Sequence, residues 1–176
     1  EVHGPLLSIP DPDDHSTMSM TMNRMMHQFR FYIPEDNEII GDEELTRIIA
    51  TFPKNVVGKV TYDLTNVKSN GELLGGELTE GSNRITMNLS TPLGKSSVAP
   101  DKFACMAMVP TEFADGEKMI LKLCSPTKVA LVDPVNLFVD KLVPENQTVQ
   151  KFKAGHSTPV KLKIKELIDY PYTIRF

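Results

Sequence analysis

The groups with reactive chemistry in this 176-residue chain are four histidines, two cysteines, nine methionines and scattered acids and serines. His3, His15, His27 and His156 form neither H-x-x-x-H nor H-E-x-x-H, the spacings that set two imidazoles on one helix face for a metal. His156 follows Gly155 in a turn-like stretch and reads as a surface turn residue rather than a general base. A serine nucleophile needs a base and an orienting group, and the G-x-S-x-G elbow is missing; Ser96-Ser97 sit in a polar loop. Glu43-Glu44 and Asp13-Asp14 are adjacent acids without the Asp/Asn/Gly loop spacing that calcium requires, and read as wet surface. Gly71, Gly75, Gly76 and Gly81 lack the Lys-Ser/Thr ending of a phosphate loop. Five of the methionines fall between positions 18 and 26, and their thioethers suit core or interface packing better than copper(I). Neither a catalytic set nor a metal or other cofactor is therefore expected.

Cys105 and Cys124 are too few for a disulfide framework and lack C-x-x-C spacing. They are expected on neighbouring strands, where a bridge requires both to face one layer. Cys124 shares its face with Lys122, which places it outward, so two inert thiols are the default expectation.

The elements that must hold these groups are short. Apolar residues make up 40% of the chain and charged residues 24%, enough to bury a core and too balanced for disorder. The net charge of −4 argues against a nucleic-acid partner, which needs clustered Lys/Arg. The one dense basic stretch, Lys161-Leu162-Lys163-Ile164-Lys165, alternates with apolar residues as the solvated face of a strand does. No apolar run reaches the roughly 20 residues of a membrane-spanning helix.

Residues 1–17 read as a lead or short edge strand, broken by Pro5, Pro10 and Pro12. From Met26 to Ile33, Phe29, Phe31 and Ile33 share one face and Gln28, Arg30 and Tyr32 the other, the period of a strand with one wet side. Strands are expected at 45–52 and 56–64, where Gly58 predicts a bulge or a close backbone approach. Residues 66–82 read as a Gly-rich connection. A strand at 84–89 points Ile85, Met87 and Leu89 inward, and 92–101 reads as a loop. The apolar run 102–109 suits a central strand. After a turn at Asp115-Gly116, the strand 118–124 turns Met119, Leu121 and Leu123 to one side. A weak strand at 129–132 follows, and 137–143 is open to strand or helical turn. The segments 148–152 and 158–164 form a last pair, separated by a tight turn through Gly155. Many short strands with turn signals every 8–12 residues predict an all-β sandwich, and the crossover helices of a parallel α/β fold are missing.

Several of these segments carry a resemblance. Residues 43–58 (EELTRIIATFPKNVVG) and 89–94 (LSTPLG) resemble early strands of the fimbrillin-like proteins of Bacteroidales. Residues 109–119 (VPTEFADGEKM) resemble their hairpin, residues 151–156 (KFKAGH) the turn before their closing strand, and 26–33 their opening strand. The resemblance spans about residues 18–164 and rests on structural turns rather than catalytic signatures. It implies a Greek-key, transthyretin-like β-sandwich of about seven or more mostly antiparallel strands. It implies a lipoprotein precursor exported to the outer membrane as a subunit of a type V pilus, acting in cell adhesion. The implied partners are other pilus subunits or surface proteins, and a host glycan or protein. In that family a protease trims an N-terminal segment, often after Arg, and subunits join by strand donation. Family members usually carry two sandwiches, whereas 18–169 has room for about one, so this chain is expected to be a trimmed product or one domain of a longer protein. Arg24 is then the candidate cut. In the tail 170–176, Tyr172, Ile174 and Phe176 alternate and suit insertion into a neighbour, the alternative being pairing within their own domain. A surface carbohydrate- or protein-binding module on the same scaffold is the competing reading.

Overall fold

In the computed structural model the described residues are 2–3, 23–67, 73–75, 78–96, 103–139 and 148–170. They contain eighteen strands and no helix. In chain order these are β1 (Val2–His3), β2 (Asn23–Arg24), β3 (His27–Pro34), β4 (Leu45–Thr51), β5 (Val57–Lys59) and β6 (Tyr62–Val67). Next come β7 (Leu73–Gly75), β8 (Thr79–Ser82), β9 (Arg84–Leu93), β10 (Lys95–Ser96), β11 (Ala104–Met108) and β12 (Thr111–Ala114). The last are β13 (Lys118–Cys124), β14 (Lys128–Val132), β15 (Val135–Asn136), β16 (Val149–Phe152), β17 (Ser157–Lys161) and β18 (Ile164–Asp169).

The larger sheet is antiparallel in the order β18-β14-β13-β4-β9, with β15 added to β13. In the smaller sheet β3 is central, with β11 antiparallel and β17 parallel to it, and β10 pairing its last two residues. Two of the crossings are short: β9 of the larger sheet leads into β10 of the smaller at Gly94, and β17 of the smaller leads into β18 of the larger at Leu162–Lys163. Beyond Val109–Pro110, β12 continues from β11 and pairs with β16.

The alternation read from the sequence decides the layering. Phe29, Phe31 and Ile33 of β3 are buried in one core with Ile48 and Ala50 of β4 and Met119, Leu121 and Leu123 of β13. Burying each large side chain contributes about 1.5–3 kcal/mol. At one end the core is aromatic. Phe29 lies 6.0 Å from Phe52 and 5.2 Å from Phe152, and Phe113 lies 6.2 Å from Phe52 and 5.7 Å from Phe152, ring centre to ring centre. The basic stretch 161–165 behaves as a solvated face: its three lysines are exposed while Leu162 and Ile164 are buried.

Several elements depart from the expectations. The segment 56–64 is two strands, because β5 pairs with β8 and β6 with β7. Gly58 marks both features expected of it. The ladder shifts register between Val57 and Lys59, and a Cβ on Gly58 would lie 2.7 Å from the Thr79 carbonyl oxygen. The Gly-rich connection therefore holds the short strands β7 and β8. The expected loop from Pro92 is shortened, since β9 runs on to Leu93 and β10 follows. Proline is tolerated there because β9 is an edge strand. The run 102–109 is not central: β11 pairs only with β3 among the described strands. Strands β16 and β17 flank a tight turn at Gly155 (φ 74°) yet do not pair with each other.

Candidate functional site

Where strand edges lie follows from sheet order, and one edge stands out. Strand β9, the longest at 10 residues, pairs with β4 on one side and with no described strand on the other. Every second residue of such an edge presents its N–H and C=O outward, ready for another chain. Ile85, Met87 and Leu89 point inward as expected, but they are only half-buried against the core. Their counterparts Ile48 on β4 and Met119 on β13 are fully buried, because interior strands are flanked twice. Thr86, Asn88 and Ser90 on the outer side are uncharged, and Arg84 is the one charge in the strand. At the opposite edge β18 carries Lys165, Glu166 and Asp169, and its ladder shifts register at Leu131/Val132; charge and bulge both discourage pairing there. The span from Arg84 to Ser90 is about 23 Å of extended chain, long enough for a seven-residue segment with three inward side chains.

The tail positions Tyr172, Ile174 and Phe176 lie outside the described residues. At Arg24 the backbone is extended and paired with Val2. Asp13-Asp14, His15, Ser97 and residues 140–147 also lie outside the described residues.

His27 is the functional-type side chain that the sequence reading passed over. It is 2% exposed at the head of β3, with its ring edge-on to Phe29 (5.3 Å) and Phe152 (5.0 Å). Nδ1 lies 3.0 Å from the Lys153 carbonyl oxygen and Nε2 3.0 Å from Thr158 Oγ1. A carbonyl only accepts, so Nδ1 carries a proton, while Nε2 meets the Thr158 hydroxyl, which can donate or accept. Beside it the Gly155 N–H donates to the Met26 carbonyl and the Gln28 N–H to the His156 carbonyl. The ring and these two bonds strap the 153–156 turn onto β3. That is why β17 runs parallel to β3 instead of folding back on β16. His156 itself is an exposed turn residue, as expected.

The cysteines are not on neighbouring strands: Cys105 is on β11 of the smaller sheet and Cys124 on β13 of the larger, and both are free. Cys105 is exposed. Cys124 is 6% exposed, a correction to its expected outward exposure. Its side does face outward with Lys122, but Tyr170, just beyond β18, lies across it and donates its hydroxyl to the Ser125 carbonyl (3.3 Å). Burial pushes the Tyr170 phenol up from its ordinary range, the Cys124 thiol adds to this, and Arg47 opposes it.

Glu117 and Glu43 each tie separate segments together. Glu117 accepts from the Ala114 N–H (2.6 Å) and pairs with Lys54 (3.1 Å). The Ala114 bond holds its carboxyl below the usual range against the opposing effect of burial, and Lys54 assists. Glu43 accepts from the Thr127 hydroxyl at 3.4 Å. No three His, Cys, Asp or Glu side chains among the described residues gather as metal ligands. A hollow of about 190 Å³ opens where β17 crosses to β18, with Leu121, Val132 and Leu162 as apolar walls. The Asp133 carboxylate in its lining is held by Lys165 at 2.7 Å. No helix among the described residues is long and apolar enough to cross a membrane.

No protein-family model, no curated protein and no solved structure matches this chain.

Proposed function

We propose that this chain is a non-enzymatic, fimbrillin-like subunit of a surface filament, exported to the outer membrane, where it acts in cell adhesion. The observation that carries the reading is the β9 edge: a long, nearly uncharged strand, unpaired on one flank among the described residues, with three inward apolar side chains only half covered. An extended segment added there would satisfy the free backbone groups and complete the cover over Ile85, Met87 and Leu89. The alternation of Tyr172, Ile174 and Phe176 supplies three apolar side chains at the matching period of two. The all-β sandwich supports the reading as scaffold only, since one scaffold serves many functions.

The test is to treat the exported full-length precursor with a trypsin-like protease and follow assembly by denaturing gels and electron microscopy. Cleavage at Arg24 followed by ladders and fibres is expected. A Met87→Lys chain, which places a charge in the half-filled groove, should remain monomeric. Persistent wild-type monomer with residues 170–176 protected inside their own domain would overturn the proposal.

A further inference from the structure

The outer face of the smaller sheet sets one arginine between two aromatic rings and a group of short side chains. The registers align three cross-strand rows on it: Ala107, Gln28 and Ser157; Cys105, Arg30 and Pro159; and Phe103, Tyr32 and Lys161. In a chain with 23 acids and 19 bases, these nine positions hold two cations and no acid. Lys161 is already paired with Asp36 at 3.5 Å. Arg30 has no carboxylate partner among the described residues. Its guanidinium carbon sits 4.9 Å from the centre of the Phe103 ring, and Tyr32 meets that ring edge-on at 5.7 Å. The Arg30 Nε is out of reach of water and has no hydrogen-bond acceptor. The Phe103 ring partly offsets that loss, and the terminal nitrogens, which are not sealed from solvent, have no protein acceptor among the described residues.

Shape narrows the choice of partner. Cys105, Pro159, Ala107 and Ser157 around Arg30 are short, and Phe103 and Tyr32 stand beside it at one end of the face. The unpaired flanks of β11 and β17 lie at the sides of the sheet, so a ligand on this face meets side chains rather than backbone groups. An aromatic wall beside a planar cation suits a ring with one apolar face and a carboxylate on its rim. We infer that this face is a subsite for a carboxylate-bearing glycan of the uronic-acid type, with Arg30 binding the carboxylate through its terminal nitrogens and Tyr32 and Phe103 flanking the sugar ring. The site lies on the opposite sheet from β9, so it does not depend on strand exchange.

The test is titration of the isotope-labelled full chain with trigalacturonate, its methyl ester and a hexaglutamate peptide, followed by amide NMR. Trigalacturonate should shift the amides of 28–32, 103–107 and 157–161, and esterification should weaken binding at least tenfold. Arg30→Gln should do the same. Cys105→Glu provides a second variant at an exposed position: its carboxylate stands directly across the strand from Arg30 and competes for it without disturbing the core. It too should lower affinity at least tenfold while the far-UV spectrum stays unchanged. No shift with trigalacturonate, shifts that map elsewhere, an ester that binds equally, or undiminished binding by Cys105→Glu would each overturn the inference. Equal or tighter binding of hexaglutamate would overturn the glycan assignment in favour of an acidic peptide.

Discussion

Replacing His27 with alanine should loosen the strap that sets the parallel β3–β17 pairing. The Lys153 carbonyl keeps a bond from the His156 N–H, but that bond is 3.4 Å long against 3.0 Å for the imidazole. Its loss therefore costs about 1 kcal/mol, less than a fully orphaned carbonyl. Thr158 is half-buried and can turn its hydroxyl toward another acceptor, for roughly 0.5 kcal/mol. The edge contacts with Phe29 and Phe152 contribute about 0.5–1.5 kcal/mol each. Together the substitution should destabilise by roughly 3 kcal/mol, a fall of about 6–12 °C in Tm for a domain of this size. His27→Phe keeps the ring contacts and loses both hydrogen bonds, so about 1.5 kcal/mol should separate it from wild type. Urea unfolding followed by far-UV circular dichroism measures both. Amide exchange supplies the local readout, because the Gly155 and Gln28 N–H groups are held in the same strap. A loss under 1 kcal/mol for His27→Ala, or unchanged exchange at Gly155, would refute the role given to His27.

Thiol labelling should find Cys105 reacting at the rate of an exposed thiol and Cys124 at least tenfold slower, with Tyr170→Ala closing most of that gap. Gly58→Val should cost about 1–3 kcal/mol by calorimetry, since its Cβ would overlap the Thr79 carbonyl, whereas Gly116→Ala meets no atom and should cost only the roughly 1 kcal/mol of placing a side chain at a positive φ. Glu117→Gln should lower stability by roughly 0.5 kcal/mol at neutral pH. The Glu117 carboxyl is held below its ordinary value of 4.5, so its contribution is complete above that value and disappears as the pH falls through the lower folded one. Wild type and variant should therefore converge in thermal melts on acidification, and a difference that persists at pH 2 would count against this account.

Local pattern carried over well into the structure. The alternation along 26–33, 84–89 and 118–124 told which side chains face the core, because successive side chains of an extended chain point to opposite faces whatever lies beside them. Gly58 likewise announced a close approach, since the absence of a Cβ is itself a local fact. Partner choice was not legible. The two segments around Gly155 look like a hairpin, and His27, 126 residues away from Lys153 in sequence, diverts the turn onto β3. Cys124 looked exposed because its strand face is outward, and Tyr170 from beyond β18 covers it.

The amino-acid sequence alone determined that this chain builds short strands around an apolar core, and which residues of each strand look inward. Only the tertiary structure decided which strands are neighbours, and with that which flank of β9 has no partner among the described residues and which nine side chains share the face around Arg30. The difference is physical. Facing is set by backbone geometry one residue at a time, whereas edges and cross-strand rows exist only once segments distant in the chain have been brought side by side.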